Sequence, residues 1–225
     1  MHAHEGEEGF TLIELMIVTT VIGVLASVAV PNLLSSRVAA NETAVIATLR
    51  AVATAQAQFI TTSVLDTDGN GIGEYGTFGE LGALEPLRGG TTPIGRNLLS
   101  ASVAKVEPTG WASHHGFHFA MYLPDASGAG VPALAANAAT IDARLSQGRW
   151  TCIAWPNNLG QTGTRTFFVN EQGLLLQARE ATYSGTASVP AAGAALLGGA
   201  ATQIDLAGLA ANTVGADGNR WTVVQ

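Results

Sequence analysis

Glu14 is the only ionisable side chain between Phe10 and Ser36, and it stands near the start of the apolar run GFTLIELMIVTTVIGVLASVAV, Gly9 to Val30. A charge at mid-bilayer costs about 2.5–3.5 kcal/mol on insertion scales, and less near the headgroups. One reading lets Glu14 snorkel at headgroup level. The sharper reading needs a cation, and no Lys or Arg lies nearby. Cutting the chain between Gly9 and Phe10 creates one. The new α-amine lies one helical turn before Glu14, where it can neutralise Glu14 of its own chain or of a neighbour packed with an axial offset. In the second arrangement the lone carboxylate sets the register of an assembly, the best-attested use of buried polar groups.

A second group of chemistry-bearing residues lies in LDTDGNGIGEYGT. Asp66, Asp68 and Asn70 alternate, with Gly71 next and Glu74 beyond. Oxygen ligands two residues apart followed by a glycine resemble the opening of a calcium loop, because glycine lets the backbone fold tightly round a hard cation. The closing position of such a loop is Thr77 here, so Glu74 or Glu80 would have to supply the further carboxylate. The competing reading is a glycine-rich loop held by Asx-type turns. The literal GxGxxG from Gly71 to Gly76 follows a helical pattern and sits among acids, the wrong context for a dinucleotide phosphate.

His114, His115 and His118 in HHGFH suggest a transition-metal set. No ordered carboxylates accompany them, and they read instead as loop and strand histidines. No GxSxG nucleophile pattern occurs, and no carboxylate pair has acid–base spacing. The single cysteine, Cys152, allows neither an internal disulfide nor a thiolate zinc site, and reads as a buried strand residue. These patterns point away from an enzyme.

The elements that would hold Glu14 can be read around it. About 20 apolar residues span a bilayer core, and Leu12 to Val30 approach that length, softened by Thr11, Thr19, Thr20 and Ser27. Pro31 falls within a continuing helical pattern, where it should kink the helix. Beyond it, Val45, Leu49, Val52 and Phe59 recur at helical spacing, with Ala53 and Gln56 beside the stripe and Asn41, Glu42, Arg50 and Thr54 mainly elsewhere. One helix from Phe10 to Thr62 would be roughly 80 Å long. Its first half needs lipid or other copies of the chain.

The stretch G-F-T-L-I-E-L followed by an apolar run resembles the class III signal of type IV pilins and type II secretion pseudopilins, over Gly9 to Pro31. The resemblance implies that a prepilin peptidase cleaves after Gly9 and methylates the amine of Phe10. It implies that Glu14 guides docking into a filament growing from the inner membrane, and that Pro31 falls where such helices bend or melt. The implied fold is pilin-like, a long helix on an antiparallel sheet. The leader MHAHEGEEG departs from the basic leaders of that family, with three Glu and no Lys or Arg; the positive-inside rule therefore gives no support for its cytoplasmic placement. An alternative cut after Ser27-Val28-Ala29 would leave Pro31 beside the new terminus and GFTLIEL unexplained.

After the helix, Phe78 to Leu84 reads as a short helix and Ser102 to Glu107 as a strand. GFHFAMYLP, with Phe117, Phe119, Met121 and Leu123 alternating against His118, Ala120 and Tyr122, reads as a strand with one buried face. RWTCIAWP is a strand, Phe167 to Asn170 and Leu174 to Ala178 form a hairpin, and RWTVV returns as a last strand. The sum is an α+β arrangement with four or five antiparallel strands crossed by the upper half of the helix. From Ser184 to Gly218 the chain is Gly/Ala-rich and reads as a surface excursion with a short helix near Ile204 to Ala211.

The expected organisation is a leader at 1–9, a transmembrane and assembly half at 10–36 and a head at 37–225, which includes the Gly/Asp loop at 65–77. With 225 residues, net charge −7 and scattered Lys and Arg, the chain offers no surface for nucleic acid. It reads as a single-pass protein of the bacterial inner membrane, its head in the periplasm or outside the cell. The expected partners are a prepilin peptidase, other copies or related pilin-like subunits, an inner-membrane assembly platform and the membrane. The other reading is a membrane-anchored extracytoplasmic module that binds calcium or a ligand without polymerising.

Overall fold

The computed structural model describes residues 9–107, 109–205 and 208–224; the leader up to Glu8 lies outside them. The chain divides into two compact units, Met1–Arg37 and Val38–Gln225.

In the first unit the long helix α1 (Leu12–Thr61) begins. Every side chain from Phe10 to Arg37 is exposed, including Phe10, Leu12, Ile13, Leu25 and Val28. This stretch is long and apolar enough to cross a membrane. Its hydroxyls are not left open. Thr19 donates to the Leu15 and Met16 carbonyls, Thr20 to Met16 and Ser27 to Val24. Back-bonding of this kind satisfies polar groups that have no water to turn to. The helix continues through Pro31.

In the second unit α1 buries Val45, Leu49, Val52 and Phe59, as the periodicity predicts. It also buries Glu42, Thr48 and Gln56, which a purely apolar stripe would not. Gln56 is fully buried because its amide pairs with one backbone unit: Nε2 donates to the Gly76 carbonyl at 2.8 Å and Oε1 accepts from Gly76 N–H at 3.0 Å. Glu42 is held by the loop before the fifth strand, described below. Between α1 and the sheet, Thr77 caps the short helix α2 (Phe78–Leu81) and Glu80 returns a bond to the cap, a complete capping box.

The sheet has eight strands: β1 (Ala112–His114), β2 (Phe117–Pro124), β3 (Gly130–Pro132), β4 (Thr151–Pro156), β5 (Thr166–Asn170), β6 (Leu176–Ala178), β7 (Thr213–Val214) and β8 (Arg220–Val223). Their order is β1-β2-β4-β5-β6-β8-β7, with β3 also on β2, and every pairing is antiparallel. The α+β architecture is the expected one, and the β5–β6 hairpin falls where the sequence placed it. The extra strands β1, β3 and β7 are two or three residues long, too short for alternation to register.

The sheet is covered on both faces, which corrects two expectations. Phe117, Phe119, Met121 and Leu123 pack with α1, while Ala120 and Tyr122, expected on a solvated face, lie in a second core with Trp155, Phe168 and Trp221. That second core is closed by Ala192, Ala194, Ala195, Leu196, Ile204 and Ala210. The Gly/Ala-rich stretch is therefore a packed layer and not a surface excursion. It forms no core alone, but the sheet supplies the large side chains and alanines fill the space between them. No helix occurs from Ile204 to Ala211 among the described residues; 206 and 207 lie outside them. Where a strand was expected from Ser102 to Glu107, Ala101–Ala104 forms a one-turn helix, α3. Val103 and Ala104 are adjacent and both buried, a pattern that a strand with one buried face excludes.

Candidate functional site

The apolar start of α1 and its carboxylate come first. Gly9 and Phe10 precede the helix in irregular, exposed backbone, and nothing crowds Gly9. Glu14 Oε2 accepts from Thr11 N–H at 2.9 Å and from Thr11 Oγ1 at 2.6 Å, while Glu14 N–H donates to Thr11 Oγ1 at 3.3 Å. Thr11 and Glu14 thus form a capping box. The carboxylate sits at the positive end of the helix dipole, with two local donors on one oxygen. Sequence reasoning missed Thr11, although the Thr-x-x-Glu spacing before an apolar run is the signal for such a box. Pro31 lies seventeen residues on, inside α1 and exposed.

The Gly/Asp turn brings three of its four expected residues together. Asp66 accepts from Gly71 N–H at 2.8 Å and from Asn70 N–H at 3.1 Å. Asp68 accepts from Asn70 Nδ2 at 2.9 Å, and Asn70 Oδ1 accepts from Ile72 N–H. Glu74 does not join them. It is buried, accepts from Thr67 N–H and Oγ1, and faces Arg88 Nη2 at 3.6 Å. The backbone N–H groups hold the Asp66 carboxyl below its usual range, against a smaller effect of burial. Among the described residues no group of three or more His, Cys, Asp or Glu is placed to hold a metal ion.

Arg88 is the centre of a buried charge cluster that the sequence did not announce. Its Nε and its own N–H donate to Glu80 Oε1 at 3.3 and 2.7 Å, and Nη2 donates to the Tyr75 carbonyl. Its Nη1 has no hydrogen-bond partner among the described residues. Glu85, at the edge of this cluster, is pushed up by burial and by Glu80. The cluster ties α2 and the Gly/Asp turn to the body of the head, a structural role.

A second ion pair anchors α1. Thr164 N–H and Oγ1 donate to Glu42 Oε1 at 2.8 and 2.9 Å, and Arg165 Nε donates to Glu42 Oε2 at 2.8 Å. Arg165 Nη1 reaches Gln177 Oε1 at 2.6 Å, and its guanidinium lies 5.3 Å from the Phe167 ring centroid. One residue earlier, Asn41 Nδ2 donates to the Thr162 carbonyl at 3.0 Å. Glu42 and Arg165 are over one hundred residues apart in sequence, so no local spacing could have paired them.

The three histidines separate. His118 pairs across from Ser113 and His114 from Phe117, which puts His118 on the opposite sheet face from His114. There His118 lies against Trp111 and Trp155 at 5.7 and 5.4 Å, half-buried where a solvent-facing side chain was expected. His114 and His115 stay together, ring centroids 3.8 Å apart. Cys152 is fully buried in β4, as expected, and burial pushes its thiol up.

Comparison with known proteins agrees with the start of the chain. Residues 6–30 match the prokaryotic N-terminal methylation motif, and residues 26–184 match the family described as protein of unknown function DUF2950. The type IV wide pilus major component PilA4 of Thermus thermophilus is 57% identical over 42 residues, 19% of this chain and 32% of that protein. The type IV major pilin protein PilA of Myxococcus xanthus is 45% identical over 51 residues, 23% of each. The type II secretion system core protein G of Escherichia coli is 48% identical over 42 residues, 19% of this chain and 29% of that protein. The match thus spans less than a third of the length of each of these relatives. No solved structure matches the chain. The chain thus belongs to the DUF2950 family over residues 26–184, and its start, which carries the N-terminal methylation motif and leads a long apolar helix into an α+β head, is similar to type IV pilins and to a type II secretion core protein.

Proposed function

We propose that this pilus or pseudopilus subunit is made as an inner-membrane precursor, cut after Gly9 by a prepilin peptidase, methylated on the Phe10 amine and polymerised through α1. The observation that carries this reading is the first unit of α1. Its apolar side chains are all exposed, so they require lipid or other copies, and its one carboxylate stands a turn from the expected new amine. In the membrane the segment 10–36 crosses once, with the head on the far side. In the filament the amine of one copy neutralises Glu14 of another, and repetition of one head-to-tail contact gives an open helical fibre. Whether the fibre is a secretion pseudopilus or a surface pilus, the chemistry of assembly is the same. The role of the head in this reading is structural.

Mass spectrometry of the purified native chain tests the processing step. A mature chain that starts at Phe10 and carries one added methyl group is the expected result. A functional chain that begins at Met1 or at Val30 would remove the amine on which the assembly depends.

A further inference from the structure

His115 and Gly116 form the two-residue turn between β1 and β2, with φ of +50° and +73°. A Cβ at Gly116 would stand 2.9 Å from Thr162 Cβ and 3.3 Å from Asn41 Nδ2, so the turn packs on the loop at Thr162 and beside Asn41 of α1. Beside it runs a groove of about 380 Å³. Ala44, Ala47, Thr48 and Ala51 of α1 form one wall, Leu99 and Val103 the other, and His114 and His115 close it. Among the described residues no acid and no other base lines this groove. The charged residues on the packed elements offer the imidazoles no counter-ion: Arg50 on α1 and Lys105 after α3 are cations, and Glu42 is bound to Arg165. His118 and the Glu107 that acts on it concern the opposite sheet face.

Between Val38 and Thr61 the exposed residues of α1 carry one charge, Arg50, among alanines, threonines and one glutamine. A helix face meant for water carries many more. Pilins assemble with other pilin subunits, so the covering surface is another copy of the chain.

We infer that this groove is a contact between copies in the filament, and that His114, beside His115, makes the contact sensitive to acid. The inference rests on the filament reading above. Above neutrality the groove walls carry no charge and a neighbouring copy can cover them. Protonation places positive charge in a small-walled, acid-free groove, where burial against a second copy is costly. Burial in the free head, and the neighbouring ring of His115, already hold the His114 imidazole below its ordinary 6.5. Acid therefore favours the separated copies. A His114 imidazole that must stay neutral weakens the contact about tenfold for every pH unit below its pKa.

Two measurements on assembled, processed full-length chain test this. In the first, filaments are resuspended between pH 8 and pH 5 and sedimented. The parent should pellet at pH 8 and release subunits progressively as the pH is lowered towards 5, while His114→Gln with His115→Asn should stay pelleted. Asn tolerates the positive φ at position 115, and a head melting temperature close to the parent's checks that the variant folds. A flat profile for the parent, or release of the double variant at the parent's pH, overturns the inference. In the second, Ala47→Cys gives the chain a reactive thiol in the groove, since Cys152 is buried. Slower labelling in filaments than in separated subunits supports a copy over the groove; equal labelling means that something else, or nothing, covers it and overturns the inference. Absence of filaments at every pH would sink the filament reading itself, and the inference with it.

Discussion

Removing the Arg165 guanidinium tests how α1 is fixed to the head. Loss of one partner from a buried pair costs about 3–5 kcal/mol, because the other charge is left without its counter-ion. Two features lower that figure here. The Arg165 side chain is 20% exposed against 5% for Glu42, so water reaches part of the pair. Thr164 also keeps both of its donors on Glu42 Oε1. Arg165→Met is therefore expected to destabilise the head by about 2–3 kcal/mol, or roughly 5–10 °C in melting temperature for a domain of this size. The assay is thermal unfolding of the full chain in detergent, followed by tryptophan fluorescence, at pH 7 and again in acid. In the double variant with Glu42→Gln the two costs should add to less than their sum by about 1 kcal/mol. Burial pushes the Glu42 carboxyl up, but bonds from Arg165 and Thr164 outweigh it and hold it below the ordinary 4.5. Its contribution is thus complete above 4.5 and is lost as the pH falls through the lower folded value. Equal melting temperatures for parent and Arg165→Met at pH 7, or a gap that does not close in acid, would refute this account of the anchor.

Three further outcomes follow from the structure. Ala194→Leu should cost about 1–3 kcal/mol through overpacking, because Ala194 is fully buried in the layer on the outer sheet face; a neutral effect on urea unfolding would return that layer to the status of a loose surface segment. Any rise in melting temperature with calcium should disappear in Asp66→Ala with Asp68→Ala, since Glu74 is occupied by Thr67 and Arg88; equal melting of the parent in calcium and in chelator would remove calcium from the account. Thr11→Val should weaken the start of α1 by about 1 kcal/mol, read as faster amide exchange over its first turn; unchanged exchange there would mean that the capping box is not formed.

What could be read in the sequence was what local spacing encodes. The stripe from Val45 to Phe59, the buried side of β2 from Phe117 to Leu123 and the turn of the β5–β6 hairpin are each encoded within a few residues, and each is found in place. Glu14 stood out because it is alone in an apolar run. What escaped depends on partners distant in the chain. Glu42 looked like a surface residue until Arg165 was brought to it. Ala120 and Tyr122 looked half-solvated because the layer that covers them comes some seventy residues later and consists of small side chains. Glu74 looked like a loop ligand because its real partner, Arg88, lies beyond α2. Thr11 was within reach of local reasoning, since its three-residue spacing to Glu14 before an apolar run is that of a helix cap.

The central claim is that Glu14 is kept for assembly and not for membrane insertion. Incorporation of Glu14→Val into filaments, measured beside its amount in the membrane, tests this most directly. The account predicts a membrane level equal to the parent's or higher, since a lipid-penalised charge is gone, with little or no variant in sheared filaments. Filaments that take up Glu14→Val as readily as the parent would contradict it.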